Sequence, residues 1–382
     1  MKKIAVFTSA RSEYGLLKPL VVKLKDEKSF SVSLLVGGGH LSHEQGFTIQ
    51  EIIEDGIEIK AQFPFLINDP STAAVSRSNG LFQLQISEHF LNNPYDLLIV
   101  LGDRSELIPI VSSALLQSIP IAHLSGGEIT EGSTDNQVRH AVTKMSHIHF
   151  PATEIYKENI LKMGEESWRV CVSGEPGLDI IPTLNIPSKE DFCTSYKLDS
   201  SKPILLATFH SETINNSIDE AFITNLIEKF ISETNYQLLF TASNTDIGGI
   251  EINKTIENLA SKYPRITFVR SLGKINYYAA LSCADLVLGN SSSGLIEAQS
   301  FNIPVINVGT RQDGRLQNQN VLNTQTDINQ IIEAIKFVKT ESFKEKYYNQ
   351  ENIFGDGTAC EKILAYLQKA DWENLLFKKS TF

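Results

Sequence analysis

LVLGNSSSGLIEAQS, residues 286–300, opens on a short apolar run and passes through small polar residues into a helical pattern. It reads as a buried strand feeding a helix, the βα unit of a parallel sheet. Such a junction suits a diphosphate. Ser291, Ser292 and Ser293 with Gly294 allow close approach, and the unpaired N–H groups and positive end of the helix favour an anion. Ser293 and Glu297 stand four apart on one helical face, so Glu297 can accept two ribose hydroxyls while Ser292 and Ser293 hold phosphate. Helix capping is the plainer reading, but a capping box needs Ser or Thr at position 294, where the chain has Gly.

The same alternation of short apolar runs and amphipathic segments extends outward in both directions. It predicts strands at 4–8, 31–36, 57–62, 96–101, 119–123, 147–150 and 170–172. A polar, proline-containing stretch at 185–203 then breaks the rhythm as a domain junction does. Further strands follow at 204–208, 236–240, 266–270, 286–288 and 305–308, and a closing helix at 358–375. The expected fold is α/β: two Rossmann-like, doubly wound domains facing across a cleft in a GT-B-like arrangement. Residues 1–184 form the first domain, on the sugar and acid/base side, and 203–356 the second, which holds the nucleotide. Residues 357–382 return to the first. The stretch 63–80, FPFLINDPSTAAVSRSNG, reads either as a lid over the ligand or as an ordinary loop.

Composition bounds the function. The 382 residues exceed what one core usually organises. With 34 Lys and Arg against 45 Asp and Glu, the net charge is -11. That excludes sequence-independent binding to nucleic acid or an anionic membrane, so a bound phosphate must be held locally. Cys171, Cys193, Cys283 and Cys360 are widely spaced without a CxxC pair, which fits neither a zinc site nor a disulfide scaffold and points to a reducing cytoplasm. The apolar run 4–7 is too short for a signal peptide, and no run is long enough to span a membrane.

Several polar motifs lie at strand ends. In IVLGDRSEL, Asp103 is placed to act as a carboxylate base; its spacing to Glu106 equally suits a helix cap. In TFHSET, His210 can donate to a phosphate or sugar oxygen or be an ordinary loop histidine. In IAHLSGGEITEGSTDNQVRHAVTKMSH, His123 ends a strand, Gly126 and Gly127 permit a tight turn, and Glu128, Glu131 and Asp135 make an acidic loop suited to proton transfer. Asp135 and Arg139, four apart, read as an ion pair, and His140 with Lys144 as a structural pair. Arg11, just after the first strand, is the best placed cation for a diphosphate, followed by Arg270 and Arg315; singly, each also reads as a surface arginine. Gly37, Gly38 and Gly39 form another strand-end turn before His40, which with His123 is a candidate substrate contact, but without GxGxxG they do not indicate a dinucleotide site. His40 and His43 lack a third ligand, so no metal is expected.

SARSEYGLL, GGGH, GDR, HLSGGE, RHAVTK, TFH and GNSSSGLIEA, in this order, resemble the UDP-N-acetylglucosamine 2-epimerases, and the GGE and RHAVTK elements the hydrolysing branch, which makes N-acetylmannosamine for sialic acids of capsules and other surface polysaccharides. The resemblance implies two Rossmann-like domains with the active site between them, a UDP-linked N-acetylated amino sugar as ligand, no cofactor, and a homodimer or homotetramer. It makes Ser292, Ser293 and Glu297 contacts of UDP, sets Arg11 near the diphosphate, gives Asp103 an acid or base role and His210 a part in UDP departure. Two positions differ. Ser125 stands where relatives often carry an acid, and Thr134 with Asp135 where many carry paired aspartates. The leading expectation from the resemblance is conversion of UDP-N-acetylglucosamine and water to N-acetylmannosamine and UDP. The two differences make the alternative the same reaction on a related sugar, UDP-2,4-diacetamido-2,4,6-trideoxyglucose on the way to legionaminic acid, whose ring needs fewer hydroxyl acceptors.

The C2 hydrogen of such a sugar is not beside a carbonyl, so UDP must leave first or concertedly: positive charge growing at C1 acidifies C2–H. A carboxylate takes the C2 proton to give a glycal; water then adds at C1 and a proton returns to C2 from the opposite face. Asp103, Glu128 and Asp135 are the candidates, unranked by sequence. The rivals are a glycosyltransferase of the same fold, which would not hydrolyse its donor without an acceptor, and a non-catalytic nucleotide-sugar sensor.

Overall fold

A computed structural model describes residues 1–44, 46–69, 71–130, 134–211, 218–243 and 248–381. The chain divides into two compact units, Met1–Pro182 with Phe354–Phe382, and Thr183–Ile353. The first is built on β1 (Lys2–Thr8), β2 (Phe30–Gly37), β3 (Ile59–Phe63), β4 (Leu97–Leu101), β5 (Ile121–Leu124) and β6 (Ile148–Phe150), all parallel, in the order β3-β2-β1-β4-β5-β6. The second has β7 (Ile204–Thr208), β8 (Gln237–Thr241), β9 (Ile266–Val269), β10 (Leu286–Gly289), β11 (Val305–Val308) and β12 (Val321–Thr324), also parallel, in the order β12-β11-β10-β7-β8-β9. Counted within its own unit, each sheet has the 3-2-1-4-5-6 order of the Rossmann fold.

The strands are apolar on both faces because helices cover both. Ile4, Val6, Leu97 and Ile99 pack with Leu17, Leu20 and Leu24 of helix Arg11–Asp26. Ala5, Phe7, Leu98 and Val100 point the other way, toward Phe82, Ile86 and Phe90 of helix Thr72–Asn92 and Ile110 of helix Leu107–Leu116. The last helix, Ala359–Lys369, completes the first of these layers with Cys360, Ile363 and Leu367, spaced three and four apart. Its start is fixed by Asp179, whose carboxylate accepts the N–H groups of Ala359 and Cys360 at 2.9 and 2.6 Å.

Four sequence expectations change. Residues 170–172 form no strand; Val170 makes a single bridge to His149. The edge strand β12 was not anticipated. Helix Thr72–Asn92, capped by Ser71 accepting from the Ala74 N–H, begins inside the stretch read as a lid or loop. Helix Lys189–Tyr196 occupies the stretch read as a junction and packs on helix Gly273–Cys283 of the second unit. No helix of the described residues is long and apolar enough to cross a membrane.

Candidate active site

In open α/β sheets, ligands bind beyond the strand ends where the strand order reverses, which in the first unit is between β1 and β4. Ser9 follows β1, and Asp103, Arg104 and Glu106 follow β4. Ser9 Oγ lies 2.8 Å from both Glu13 Oε2 and Glu106 Oε1, yet a hydroxyl has one proton to give. Arg104 Nε donates to Glu106 at 2.7 Å and stands 3.9 Å from Glu13, which makes Glu106 the ionised member. Burial, opposed by Arg104 and reinforced by Glu106, pushes Glu13 up to about 7. Sequence reading passed over Glu13 altogether; its signal was an acid in the first turn of a helix following β1.

Arg139, 2% exposed, is the centre of a second cluster. Its Nη2 bonds Asp103 and lies 3.8 Å from Glu128 Oε2, while Nη1 donates to the Glu128 carbonyl at 3.3 Å and to Thr130 Oγ1 at 2.8 Å. Two readings are corrected. Asp103 is not a cap: helix Leu107–Leu116 starts after Glu106 without a side-chain cap. Arg139 is turned inward to Asp103 and Glu128, whereas Asp135 is exposed in the first turn of helix Thr134–Met145. Glu131 lies outside the described residues. Ser125, held at φ 58°, donates to Glu175 Oε1 at 2.9 Å. A carboxylate thus stands beside the position where the sequence lacks one, brought there from GEPG, fifty residues on.

His123 and His40 are fully buried with both ring nitrogens occupied. His123 Nε2 donates to the Gly102 carbonyl at 2.8 Å, leaving Nδ1 to accept from Thr143 Oγ1 at 3.1 Å. Burial pushes it down to about 3. It therefore braces the Gly102–Asp103 turn and has no ring nitrogen to spare for a ligand. His40 meets Thr8 and Thr48 hydroxyls at 3.0 and 2.9 Å, and burial lowers it to about 4. Arg11, at the start of its helix and partly exposed, bonds Glu51 at 2.7 Å.

The order of the second sheet reverses between β7 and β10. A Cβ on Gly289, at φ 136°, would lie 1.9 Å from the Thr208 carbonyl, so only glycine fits where these strands end. Asn290, fully buried, accepts the His210 N–H at 2.7 Å and donates to the His210 carbonyl at 2.9 Å. This fixes the histidine loop; His210 Nδ1 is 3.5 Å from Ser243 Oγ. Arg311 and Gln312, after β11, donate to the Asn290 carbonyl at 3.1 and 2.8 Å.

Ser291 precedes a helix of only five residues, Ser292–Ile296, which passes into a tighter turn, Ala298–Phe301. Ser293 Oγ donates to Glu297 and is bonded by the Tyr277 hydroxyl; the Tyr278 hydroxyl donates to the other Glu297 oxygen at 2.9 Å. Burial first, then Glu297, raises both tyrosines. Two readings shift. Ser293 is joined to Glu297 rather than held open for phosphate, and Gly294 faces the sheet, where a Cβ would press on Val305 at 3.2 Å. Arg315 is partly buried in the loop after β11. Arg270, 75% exposed by its side chain, follows the edge strand β9 and pairs with Glu257 at 3.2 Å, two strands from the reversal point. Among the described residues no three His, Cys, Asp or Glu side chains converge as a metal would require.

Residues 22–368 match the family model described as UDP-N-acetylglucosamine 2-epimerase. The GDP/UDP-N,N'-diacetylbacillosamine 2-epimerase (hydrolyzing) of Campylobacter jejuni is 34% identical over 90% of this chain and 89% of its own. The UDP-N,N'-diacetylbacillosamine 2-epimerase (hydrolyzing) of Legionella pneumophila is 30% identical over 99% of each. In fold, the chain is similar to the crystal structure of the Neisseria meningitidis UDP-GlcNAc 2-epimerase bound to UDP-GlcNAc, with a TM-score of 0.84 at 19% identity over 97% of this chain and all of that one.

Proposed function

Because the chain belongs to the UDP-N-acetylglucosamine 2-epimerase family, we propose that it is a hydrolysing 2-epimerase, converting a UDP-linked 2-acetamido sugar and water into UDP and the free 2-epimer. The observation that carries the reading is the pair of carboxylates, Asp103 and Glu128, set about one buried guanidinium at the ends of β4 and β5. Arg139 balances their charge and holds their geometry, which is what proton transfer at a fixed carbon demands. Asp103, with 21% of its side chain exposed against 8% for Glu128, is the better placed to meet a substrate.

The C1–O bond breaks with its electron pair leaving on UDP, and a carboxylate accepts the C2 proton, giving a C1=C2 glycal. Water oxygen then adds to C1 and a proton returns to C2 from the other face. Asp103 is assigned the first transfer. Glu128, or Asp135 from the exposed turn, takes the second. In the second unit, the backbone at Ser291–Ser293 and the His210 loop hold the departing diphosphate, and Glu297 the ribose.

The sugar proposed is UDP-2,4-diacetamido-2,4,6-trideoxyglucose, the chemical equivalent of UDP-N,N'-diacetylbacillosamine, because two relatives at 34% and 30% identity carry that substrate in their names. UDP-N-acetylglucosamine, favoured by the sequence motifs, is the second reading; a Neisseria meningitidis relative named for it is 27% identical. Proton NMR in D2O with each sugar tests both. Free sugar deuterated at C2 and released with UDP is expected from the diacetamido substrate. Turnover of UDP-N-acetylglucosamine alone would reverse the order, and donor hydrolysis that requires an added acceptor would replace the reading with a glycosyltransferase.

A further inference from the structure

The proposed reaction leaves one proton without a receiver, the one that water loses as its oxygen bonds to C1. Asp103 is assigned to the first transfer at C2, and Glu128 or Asp135 to the second. A further carboxylate, Glu175, is built into the end of the first sheet. Residues 170–173 run alongside the end of β6, where the Cys171 N–H donates to the His149 carbonyl at 2.9 Å and the Ser173 N–H to the Pro151 carbonyl at 3.0 Å. Gly174, at φ 88°, then turns the chain, and a Cβ there would lie 3.1 Å from the Phe354 carbonyl. That carbonyl also accepts the Glu175 N–H at 2.7 Å. Glu175 is thus clamped, 4% exposed, with its carboxylate on Ser125 Oγ at 2.9 Å.

Ser125 follows β5, whose last residue, Leu124, accepts the Gly102 N–H at 3.1 Å. The serine therefore stands about one strand spacing, ~4.8 Å, from the turn that carries Asp103. It is partly exposed, while Leu124, Gly126, Gly127 and Glu128 around it are buried. Its backbone, at φ 58°, is one that glycine adopts more readily. Glycine does fill the next two positions, because a Cβ would lie 2.9 Å from the His123 ring at Gly126 and 2.3 Å from the Tyr156 carbonyl at Gly127. At 125 the side chain itself is what distinguishes serine from glycine. A hydroxyl has one proton and two lone pairs. Ser125 gives the proton inward to Glu175, so its oxygen has acceptor capacity left for a group arriving from solvent.

We propose that Ser125 and Glu175 form a proton relay for the hydration step, in which Ser125 Oγ accepts the proton of the water attacking C1 as the serine proton passes to the Glu175 carboxylate. A lone pair of the water oxygen forms the bond to C1. The C1=C2 electron pair forms the C2–H bond with the proton delivered to C2, and no charge is left on the serine. Glu175, neutral after the step, returns its proton to solvent through Ser125 when the sugar departs. Ser125 is the residue that touches the water, and Glu175 acts through it. The assignment rests on the hydrolysing reading and supplies the base for the half of that reaction that consumes water.

Single-turnover reactions of the full chain with UDP-2,4-diacetamido-2,4,6-trideoxyglucose and, in parallel, UDP-N-acetylglucosamine separate the two halves when UDP, glycal and free sugar are each followed by proton NMR. Glu175→Gln keeps the size of the side chain and an oxygen for the Ser125 hydroxyl but cannot take its proton. Ser125→Ala keeps the Cβ and removes the hydroxyl. In both variants UDP is expected to appear within about threefold of the wild-type rate, while free sugar forms about 10²- to 10⁴-fold more slowly and glycal accumulates. Circular dichroism checks the fold of each, and Ser125→Ala decides alone if the carboxamide is not tolerated. A parallel fall of UDP release and sugar formation, or free sugar formed at the wild-type rate, overturns the relay and leaves the hydrolysing reading in place. A wild type that releases UDP from neither sugar removes that reading and the relay with it.

Discussion

Glu13 and Glu106 stand on either side of the Ser9 hydroxyl, each 2.8 Å from its oxygen, with Arg104 donating only to Glu106. Glu13 therefore holds its proton to higher pH than an ordinary glutamate. With an ordinary value of 4.5 and a folded value of about 7, the folded chain holds more proton than the unfolded one between those limits. Stability contributed by this group thus falls as pH rises from about 4.5 through 7 and is level above. Glu13→Gln is expected to match the wild type near pH 4 and to exceed it by up to roughly 3 kcal/mol at pH 8, measured by urea unfolding. Parallel pH dependence in the two proteins would show that Glu13 ionises as freely folded as unfolded.

The Asp103–Arg139–Glu128 cluster separates stability from chemistry. Asp103→Asn is expected to lower kcat by about 10²–10⁴ and leave UDP affinity within threefold. Arg139→Met strands acidic groups around a buried position and is expected to cost about 3–5 kcal/mol. Equal losses of kcat and stability in Asp103→Asn would instead make Asp103 a structural partner of Arg139.

Ser293 Oγ is already bonded to Glu297 and Tyr277, so on the proposed function its hydroxyl is expected to be a weaker ligand of UDP than Glu297. Glu297→Ala is expected to weaken UDP binding about 10- to 100-fold, as loss of a charged hydrogen-bond partner does, and Ser293→Ala by clearly less. Isothermal titration calorimetry decides; the reverse order would return Ser293 to the phosphate.

Arg270→Ala is expected to change stability by less than about 0.5 kcal/mol and to leave turnover and UDP binding unaltered, since its guanidinium is spent on an exposed pair with Glu257. A substantial rise in KM would place it near the substrate after all.

What was legible in the sequence followed from burial. Most strands of the two sheets announce themselves as apolar runs because helices cover both faces, while the edge strand β3, IKAQF, shows only alternation, with Lys60 and Gln62 exposed. β12 did not, since Val321 and Leu322 are only half-buried at an edge and Asn323 is exposed. Residues 170–172 misled for the opposite reason: they are apolar because they lie against β6, without pairing beyond one bridge. In the site, local spacing failed where tertiary contacts took over. Arg139 has Asp135 at the ideal helical distance, but Asp103 and Glu128 reach it from two other strand ends. Glu175 and Ser125, or Asn290 and His210, are pairs that no window of sequence brings together.

The discontinuity of the first unit bears on how the chain comes off the ribosome. Its closing helix, with Ile363 and Leu367 wholly buried, is made only after all of Thr183–Ile353. At about 5–20 residues per second that interval is on the order of 10–30 s. Throughout it, the layer formed by Leu17, Leu20 and Leu24 lacks its cover, while the second unit emerges whole and is free to fold. The unit that is begun first is thus the last to be completed.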